Sequence, residues 1–328
     1  MLYINYPSWL RPEIFPFLPG FLGQIRWYGL MYILAFLTAY ILAKKYLAKQ
    51  EQPLLNKKQL EDLFLYGIVG LLLGARLFYV FVYGFSEFAG NPLSIIWPFQ
   101  GGQFVGISGL SFHGGVIGGV IGVLVYCWRF KINFLAAADL MAMVIPFGYT
   151  WGRLGNFING ELYGRITAAG WGMLFPQATP VFTYHIWVQQ IAEQIGMDIT
   201  GDIFVNLPRY PSQLVQGFAE GLLVGLLLWF VIARFKKFNG MVTAFMFMGF
   251  GFARFFVEYL REPDSHLGFV VALGPGDNLP QLFTSFLNLS MGQILSLFMI
   301  LAGAAIFVAS YILNKKQIAL DFKVRSKN

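Results

Sequence analysis

Long runs of apolar residues alternate with short polar loops along most of the chain. A helix of about 20 apolar residues is long enough to cross a bilayer. Runs of this kind are predicted at about residues 27–43, 64–83, 110–128, 134–151, 214–233, 241–260 and 294–313. Glycines and Arg76 interrupt the second and third runs, and glycine is common where membrane helices pack closely. The pattern predicts an all-α integral membrane protein with about seven transmembrane helices.

Two stretches between these runs are longer than ordinary loops. Residues 160–212 carry several aromatic side chains and few charges, and Trp and Tyr favour the membrane–water interface. We expect this segment to form a small external domain between the fourth and fifth helices. Residues 263–289, which are turn-rich at 274–277, are expected to form a second external excursion. Because the chain shows no internal repeat or linker, residues 1–328 are predicted to be a single polytopic membrane domain.

The composition and the placement of charge agree with a membrane location. Charged residues make up only 12% of the chain, against about 25% in soluble domains. The net charge of +7 would suggest a nucleic-acid partner in a soluble protein, but here every lysine lies in the loops after the first, third and fifth predicted helices or in the tail. Because basic loops stay in the cytoplasm, we predict an external N-terminus, a cytoplasmic C-terminus and no nucleic-acid partner.

The basic residues outside these loops are all arginines, and several lie near the outer ends of the predicted helices. They include Arg153, Arg165, Arg254 and Arg261. The planar guanidinium matches phosphate or carboxylate, and these arginines outnumber their expected partners, Glu161 and Glu258. The surplus indicates an anionic ligand, which in a membrane is a phospholipid headgroup. The alternative is internal pairing, since Arg254 and Glu258 are four residues apart and share a helix face.

One polar stretch, residues 152–165, interrupts this apolar sequence. It reads G-R-L-G-N-F-I-N-G-E-L-Y-G-R and follows the fourth apolar run directly. Polar groups at membrane depth are unfavourable by several kcal/mol unless they face protein or water, and glycines let backbone approach backbone or ligand closely. The stretch is therefore a candidate site. The alternative is a structural role, in which it ties helices together through hydrogen bonds.

His113 is the candidate general base. It lies near the outer end of the third predicted helix, with Ser111 before it and glycines after it. An unperturbed imidazole titrates near pH 6.5, which suits proton transfer at neutral pH. A packing role remains the alternative. His185 and His266 have no metal-ligand spacing relative to it, so we predict no metal site.

Two carboxylates fall inside predicted helices, Asp139 in the fourth and Glu220 in the fifth. Intramembrane carboxylates are often functional. They can equally serve as partners for Arg76 or for asparagine and glutamine side chains, and we favour a structural role for both.

The polar stretch and five shorter motifs follow one another in a characteristic order. The motifs are W-Y-G-L-M-Y at 27–32, S-F-H-G-G at 111–115, P-S-Q-L at 211–214, Arg254 with Val257 and Glu258, and S-M-G-Q-I-L at 290–295. Together they resemble the sequence pattern of prolipoprotein diacylglyceryl transferases. The resemblance runs from about residue 26 to residue 311, which is nearly the whole chain.

This resemblance implies a reaction and a location. Enzymes of the family transfer the diacylglyceryl group of phosphatidylglycerol to the thiol of a lipobox cysteine in the prolipoprotein signal peptide. The product is a thioether, and glycerol 1-phosphate leaves. The implied location is the bacterial cytoplasmic (inner) membrane, among membrane lipids, and no cofactor or metal is implied.

The resemblance also implies roles for particular residues. His113 or a neighbour deprotonates the substrate thiol, because the thiolate is the nucleophile. Arg153 and Arg254 bind the phosphate and offset its growing charge. The further residues implied at the site are Asn156 and Glu161 for catalysis, and Tyr28, Gly164, Glu258 and Arg261 for binding phosphatidylglycerol.

The sequence departs from the family pattern at two places. Many members have tyrosine where this chain has Phe250, so a phenol is missing at that position. Many also have Tyr-Glu after the P-S-Q-L motif, where this chain has Val215 and Gln216. These changes affect the details of the site, but they leave the arginines and His113 in place.

Two other functions are compatible with a polar membrane interior. One is a transporter or channel for an anionic substrate, although transporters often contain internal repeats and this chain shows none. The other is an intramembrane hydrolase that uses Ser111 with His113. These residues are two apart and would not face each other on a helix.

Overall fold

The computed structural model describes residues 2–18, 23, 25–85, 99–100, 103–104, 109–263, 267–274 and 279–325. This part of the chain is mostly helical. Its helices are α1 (Trp27–Leu47), α2 (Lys57–Val82), α3 (Phe112–Phe130), α4 (Phe134–Ile158), α5 (Ile186–Ile195), α6 (Ser212–Phe235), α7 (Met241–Val257) and α8 (Met291–Arg325).

Six of the described helices are long and apolar enough to cross a membrane: α1, α2, α3, α4, α6 and α8. The prediction of a multi-pass, mostly helical membrane protein is therefore confirmed. Helix α7 is apolar but has only 17 residues, which span about 26 Å, somewhat less than the roughly 30 Å hydrocarbon core. A seventh membrane crossing stays a prediction.

The chain forms two compact units. Unit 1 contains Met1–Ile41 and Asp139–Asn328, and unit 2 contains Leu42–Ala138. In unit 2, α2 and α3 pack at glycines: a Cβ built on Gly74 would lie 2.6 Å from the Cα of Gly118. The glycines of α3 are therefore required for close helix packing, as the sequence suggested. Arg76 of α2 donates a hydrogen bond to the carbonyl of Gly109 at 3.2 Å.

In unit 1, Asp139 at the start of α4 anchors the start of α7. Its two carboxylate oxygens accept hydrogen bonds from the backbone N–H groups of Gly240 and Thr243, each at 2.8 Å. Lys236 forms an ion pair with it at 3.0 Å. A carboxylate is stabilising at a helix N-terminus because it satisfies free N–H groups. The structural role that we favoured for Asp139 is found here, with Lys236 rather than Arg76 as its partner.

Helix α6 packs against α4 and is not a uniform α-helix. It opens into π-helical turns at Gly217–Leu223 and Leu228–Ile232, and such turns are frequent at functional sites. The two helices approach closely at Gly221, where a Cβ would lie 3.0 Å from the carbonyl oxygen of Pro146. Thr150 of α4 donates a hydrogen bond to the carbonyl of Gly217 at 3.1 Å. The polar face of α6 is thereby held against α4.

The described strands form four two-stranded pairs. In unit 1, β1 (Ile4–Asn5) pairs in parallel with β4 (Met173–Leu174), β5 (Val181–Phe182) pairs antiparallel with β6 (Phe204–Val205), and β7 (Phe269–Ala272) pairs antiparallel with β8 (Asn288–Ser290). The last pair has an irregular register between Phe269 and Val271. In unit 2, β2 (Phe99–Gln100) pairs antiparallel with β3 (Gln103–Phe104).

Residues 160–212 are a packed segment of unit 1 that contains β4, β5, α5 and β6. One cluster is built around Phe157, Met173, Phe175 and Ala178, and a second around Ile166, Val188, Ile195 and Leu207. Side chains of the N-terminal segment complete both clusters, and the hydroxyl of Tyr6 donates to the carbonyl of Ile158 at 2.8 Å. Burial raises the pKa of Tyr6. The external location of this segment stays a prediction.

The second predicted excursion, 263–289, is described only in part. Residues 264–266 and 275–278 lie outside the described residues, and with them His266 and most of the predicted turn at 274–277. The described part returns to the first segment, since the backbone N–H of Ile166 donates to the carbonyl of Gln281 at 2.9 Å.

Candidate active site

The polar stretch 152–165 begins on the last two turns of helix α4. We predicted that this helix ends near residue 151, but it continues to Ile158, so Arg153 and Asn156 lie on its last two turns. The prediction failed because it followed the apolar run. Polar residues extend a membrane helix when they face other protein groups, and Asn156 is buried. Beyond the helix, Gly160 turns the chain with a φ of +66°.

A chain of hydrogen bonds runs from Arg153 through Asn156 to Glu161. The Nη1 of Arg153 donates to Oδ1 of Asn156 at 3.3 Å, and the Nδ2 of Asn156 donates to Oε1 of Glu161 at 2.9 Å. Gln213 of α6 donates to the backbone carbonyl of Glu161 at 2.6 Å. Asn156 and Glu161 therefore orient Arg153 through side-chain contacts, and α6 fixes the backbone of this stretch.

The guanidinium of Arg153 has no carboxylate within ion-pair distance among the described residues. Its Cζ lies 4.8 Å from the centre of the Tyr149 ring, one turn earlier on α4. This cation–π contact holds the side chain while leaving its remaining N–H donors available. The half-buried Arg153 is thus a fixed cation that can accept an anionic ligand.

Arg254 and Arg261 have acidic partners. The Nη1 of Arg254 lies 3.6 Å from Oε2 of Glu220, and its Nε lies 3.3 Å from Oε2 of Glu258. The same oxygen of Glu258 lies 3.6 Å from Nη1 of Arg261. The sequence count missed Glu220 as a partner of Arg254, so the surplus of arginine is smaller than predicted. The internal pairing of Arg254 with Glu258 is found here, and the binding of an anionic ligand by Arg254 stays a prediction.

The start of α8 completes the surroundings of Glu258. The hydroxyl of Ser290 donates to Oε1 of Glu258 at 3.2 Å, and Gln293 accepts from the Ser290 backbone N–H at 2.9 Å. Gly292 packs against this carboxylate, since a Cβ at this position would lie 2.9 Å from Oε2 of Glu258. The motif at 290–295 therefore surrounds the carboxylate that holds the two arginines.

Arg165 has a structural role instead. It is fully buried, and it donates to the backbone carbonyls of Arg261 at 2.8 Å and Leu282 at 2.9 Å. Its guanidinium lies over the ring of Phe269, 4.9 Å from the ring centre. Burial lowers its pKa to about 10, so it stays charged at neutral pH. These contacts give Arg165 a structural role, although among the described residues its Nη2 has no hydrogen-bond partner.

Gly164 and Tyr28 lie close to this part of unit 1. The N–H of Gly164 donates to the carbonyl of Tyr210 at 2.8 Å, and a Cβ there would lie 2.9 Å from that same oxygen. Packing alone explains this glycine, and its role in lipid binding stays a prediction. Tyr28 of α1 packs on Gly155, next to Asn156, and its hydroxyl lies 3.3 Å from that of Tyr32.

Comparison with known proteins gives the family. A family model described as prolipoprotein diacylglyceryl transferase matches residues 16–309. The chain belongs to this family. It is 44% identical to the phosphatidylglycerol–prolipoprotein diacylglyceryl transferase of Treponema denticola, over 96% of this chain and 97% of that protein. It is 41% identical to the protein of that name from Treponema pallidum, over 92% of this chain and 94% of that protein. It is 38% identical to the protein of that name from Chlorobaculum tepidum, over 93% of this chain and 92% of that protein.

Two residues that depart from the prolipoprotein diacylglyceryl transferase pattern, Phe250 and Gln216, lie four residues before Arg254 and Glu220 respectively. The ring of Phe250 packs edge-on against Tyr149, with ring centres 5.2 Å apart. Tyr149 in turn donates to Oε2 of Glu220 at 2.6 Å. Gln216 lies on the buried face of α6, one turn before Glu220, and among the described residues neither atom of its amide has a hydrogen-bond partner.

His113 belongs to unit 2, whereas the other predicted site residues belong to unit 1. It is the second residue of α3 and is exposed, with its ring 5.8 Å from that of Phe112. Ser111 is the N-cap of the helix and accepts from the N–H of Gly114 at 3.3 Å. Gly114 serves the close packing of α3 on α2, because a Cβ there would meet the backbone of Gly74. The role of His113 as a base stays a prediction.

Sequence reasoning missed Tyr149 and underrated Glu220. A signal for Tyr149 was available, because Tyr149, Arg153 and Asn156 recur at helical spacing and share one face of α4. Glu220 follows Gln213 and Gln216 at intervals of three and four residues, and this spacing places all three side chains on one face of α6. In the part of the chain that the structure describes, no group of three His, Cys, Asp or Glu side chains is placed to hold a metal.

Proposed function

We propose that this chain transfers the diacylglyceryl group of phosphatidylglycerol to the thiol of a lipobox cysteine in a bacterial prolipoprotein. The reaction forms a thioether and releases glycerol 1-phosphate. Family membership supports the reaction class, since relatives that cover nearly the whole chain are named for this transfer. The observation that carries the proposal in this molecule is Arg153, a half-buried arginine held in place without a described carboxylate partner.

The chemistry requires an anion site of this kind. The substrate sulfur bonds to the glyceryl carbon as the bond from that carbon to the phosphate oxygen breaks. The electron pair of that bond goes to the phosphate, so a phosphodiester with one negative charge becomes a monoester with a higher charge. Fixed cations that contact this oxygen stabilise the transition state more than the ground state. Arg153 and Arg254 are assigned this role.

The proton of the substrate thiol must leave before or during attack, because the thiolate is the nucleophile. His113 is assigned as the base that accepts it. Asn156 and Glu161 orient Arg153, and Glu258 holds Arg254 and Arg261 at the headgroup site. Tyr28 and Gly164 are assigned to binding of phosphatidylglycerol. The cysteine-bearing signal peptide and the lipid are the two partners.

The placement of charge along α4 supports an orientation in the bacterial cytoplasmic membrane. Asp139 pairs with Lys236 at one end of the helix, and Arg153 lies about 21 Å further along it. Because lysine-bearing loops favour the cytoplasm, the Lys236 end is assigned to that side. The arginine site then faces the outer leaflet, with an external N-terminus, a cytoplasmic C-terminus and residues 160–212 and 263–289 outside. Family membership disfavours the transporter alternative.

The direct test reconstitutes the purified protein with phosphatidylglycerol labelled in its headgroup and a peptide that contains a lipobox cysteine. We expect a peptide that gains one diacylglyceryl group through sulfur, together with labelled glycerol 1-phosphate in equal amount. The same peptide with serine in place of cysteine is the control. Release of label without peptide modification would instead indicate a hydrolase, and no reaction by folded protein would refute the proposed transfer.

A further inference from the structure

The buried face of α6 carries a line of polar side chains that the proposed reaction does not yet use. Gln213, Gln216 and Glu220 recur along this helix, and each is at most 2% exposed. Gln213 contacts Glu161 of the polar stretch, and Glu220 contacts Arg254. Gln216 lies between them. We refer to these three residues as the α6 polar line.

The hydrogen bonds of the α6 polar line are incomplete. Among the described residues, four of its buried atoms have no hydrogen-bond partner: Oε1 of Gln213, Oε1 and Nε2 of Gln216, and Oε1 of Glu220. A buried polar group without a partner is strongly unfavourable, and the great majority in folded proteins are paired. The pattern therefore indicates a polar ligand or water along this face.

The unpaired atoms select one kind of ligand. Three are acceptors, and Nε2 of Gln216 is a donor. An acyl chain pairs with none of them, and phosphate oxygens, which only accept, pair with Nε2 alone and are repelled by Glu220. An ammonium group only donates and leaves Nε2 unpaired. Hydroxyl groups donate and accept, so a neutral group with neighbouring hydroxyls matches the whole set.

The position of the line fits a headgroup whose phosphate is held by the arginines. Gly217, the neighbour of Gln216, packs on Arg153, and a Cβ there would lie 3.3 Å from the Cβ of Arg153. Glu220 lies 3.6 Å from Arg254. Neighbours of Gln216 on α6, Gly217 and Glu220, therefore contact the two arginines assigned to the phosphate.

From these contacts, we infer that the α6 polar line binds the free hydroxyl groups of the phosphoglycerol headgroup, with Gln216 as the central contact. The inference rests on the proposed function and adds a headgroup-specificity site to it. Gln216 accepts from one hydroxyl and donates to another, while Glu220 and Gln213 accept from them. A headgroup that ends in a methyl group leaves all four buried atoms unpaired, and one that ends in an ammonium group leaves Nε2 of Gln216 unpaired.

The test compares transfer from lipids that differ only in headgroup hydroxyls. Phosphatidylglycerol is set against phosphatidylpropanediols that lack one hydroxyl and phosphatidylpropanol that lacks both. In the wild-type protein we expect kcat/KM to fall roughly tenfold or more when both hydroxyls are removed, because buried partners lose their hydrogen bonds. Phosphatidylethanolamine should also be used less well than phosphatidylglycerol, because its ammonium group leaves Nε2 of Gln216 unpaired.

Gln216→Met keeps the length of the side chain and removes its polar atoms. In this variant we expect transfer from phosphatidylglycerol to fall toward the rate with phosphatidylpropanol, while the phosphatidylpropanol rate changes less than about threefold, since only the coupled interaction is lost. Phe218→Leu, on the exposed face of the same helix, is the matched control and should keep wild-type discrimination.

The outcomes separate this inference from the proposed function. If wild-type protein modifies the peptide equally well from phosphatidylglycerol and phosphatidylpropanol, the α6 polar line is filled by water and the inference is wrong. The inference is also wrong if folded Gln216→Met still prefers phosphatidylglycerol to phosphatidylpropanol as strongly as the wild type does. If Gln216→Met does not accumulate in the membrane, Gln216→Asn is tested instead, because its shorter side chain moves the amide away from the headgroup. The same loss of preference for phosphatidylglycerol is expected. No transfer from phosphatidylglycerol by the wild type would contradict the proposed function itself.

Discussion

The hydroxyl of Tyr149 donates a hydrogen bond of 2.6 Å to Oε2 of Glu220, 71 residues later in the chain. The same tyrosine ring lies under the guanidinium of Arg153, and the same carboxylate oxygen contacts Arg254. One side chain therefore connects the two arginines assigned to the phosphate. This ring also packs in a T-shaped arrangement with Phe250, where the family pattern often has a tyrosine.

Tyr149→Phe keeps the ring under Arg153 but removes the hydroxyl from Glu220. The buried carboxylate then loses a hydrogen bond, which is worth about 1–3 kcal/mol. We expect kcat for transfer to fall roughly tenfold, with a smaller change in KM, because the tyrosine positions Glu220 and Arg254 without contacting the lipid. Steady-state kinetics with phosphatidylglycerol and a lipobox peptide measure both constants.

Two further variants test whether the loss comes from the hydroxyl itself. Tyr184→Phe removes an exposed phenol from residues 160–212 and should have no effect. Phe250→Tyr, added to Tyr149→Phe, places a phenol on the ring that faces position 149 and should restore part of kcat. An unchanged kcat in Tyr149→Phe would remove this residue from the mechanism.

Arg153→Lys and Arg254→Lys separate phosphate binding from charge balance. Lysine keeps the charge but loses the planar fork. If these arginines contact a phosphate whose charge grows during the reaction, the loss should appear mainly in turnover. One charge-assisted hydrogen bond is worth about 1.5–3 kcal/mol, which corresponds to a loss of about tenfold to over a hundredfold.

The matched control for these variants is Arg234→Lys, at the exposed end of α6. It should transfer at the wild-type rate. Circular dichroism and detergent-stable purification establish that each variant is folded. Near-normal turnover in both Arg153→Lys and Arg254→Lys would return these residues to a purely structural role, with Glu220 and Glu258 as their partners.

His113→Ala tests the assignment of the base. We expect slow transfer by a folded protein, because nothing then accepts the thiol proton at neutral pH. Raising the pH toward about 8.5, where a free thiol ionises by itself, should restore part of the rate. His185→Ala, at the start of α5, is the control. A wild-type rate in His113→Ala would exclude this base, and a slow variant without rescue would leave it only a positioning role.

The orientation in the membrane is testable by labelling, because the chain has a single cysteine, Cys127, which is buried. In a Cys127→Ala background, Tyr184→Cys and Lys316→Cys each introduce one exposed thiol. The proposed orientation predicts that a membrane-impermeant maleimide labels position 184 in intact cells and position 316 only after lysis. The reverse pattern would refute the assignment of the arginine site to the outer leaflet.

The sequence by itself determined the mostly helical, multi-pass membrane class and the family. Apolar runs long enough to cross a bilayer are a local property, and the six longest described helices all contain one. The motifs that carry the resemblance are also local. They identified Arg153, Asn156 and Glu161 as a group, because these residues are close in sequence, on the last turns of one helix and just after its end.

Only the tertiary structure decided which distant side chains meet. Arg254 contacts Glu220 on another helix, and Asp139 contacts Lys236 and the start of α7. Periodicity gives the face of a helix on which a residue lies, but it does not give the neighbour that this face meets. The same reason explains the early predicted end of α4. The last turns of α4 pack on α6, where Gly217 contacts Arg153, and α6 comes from a remote part of the chain.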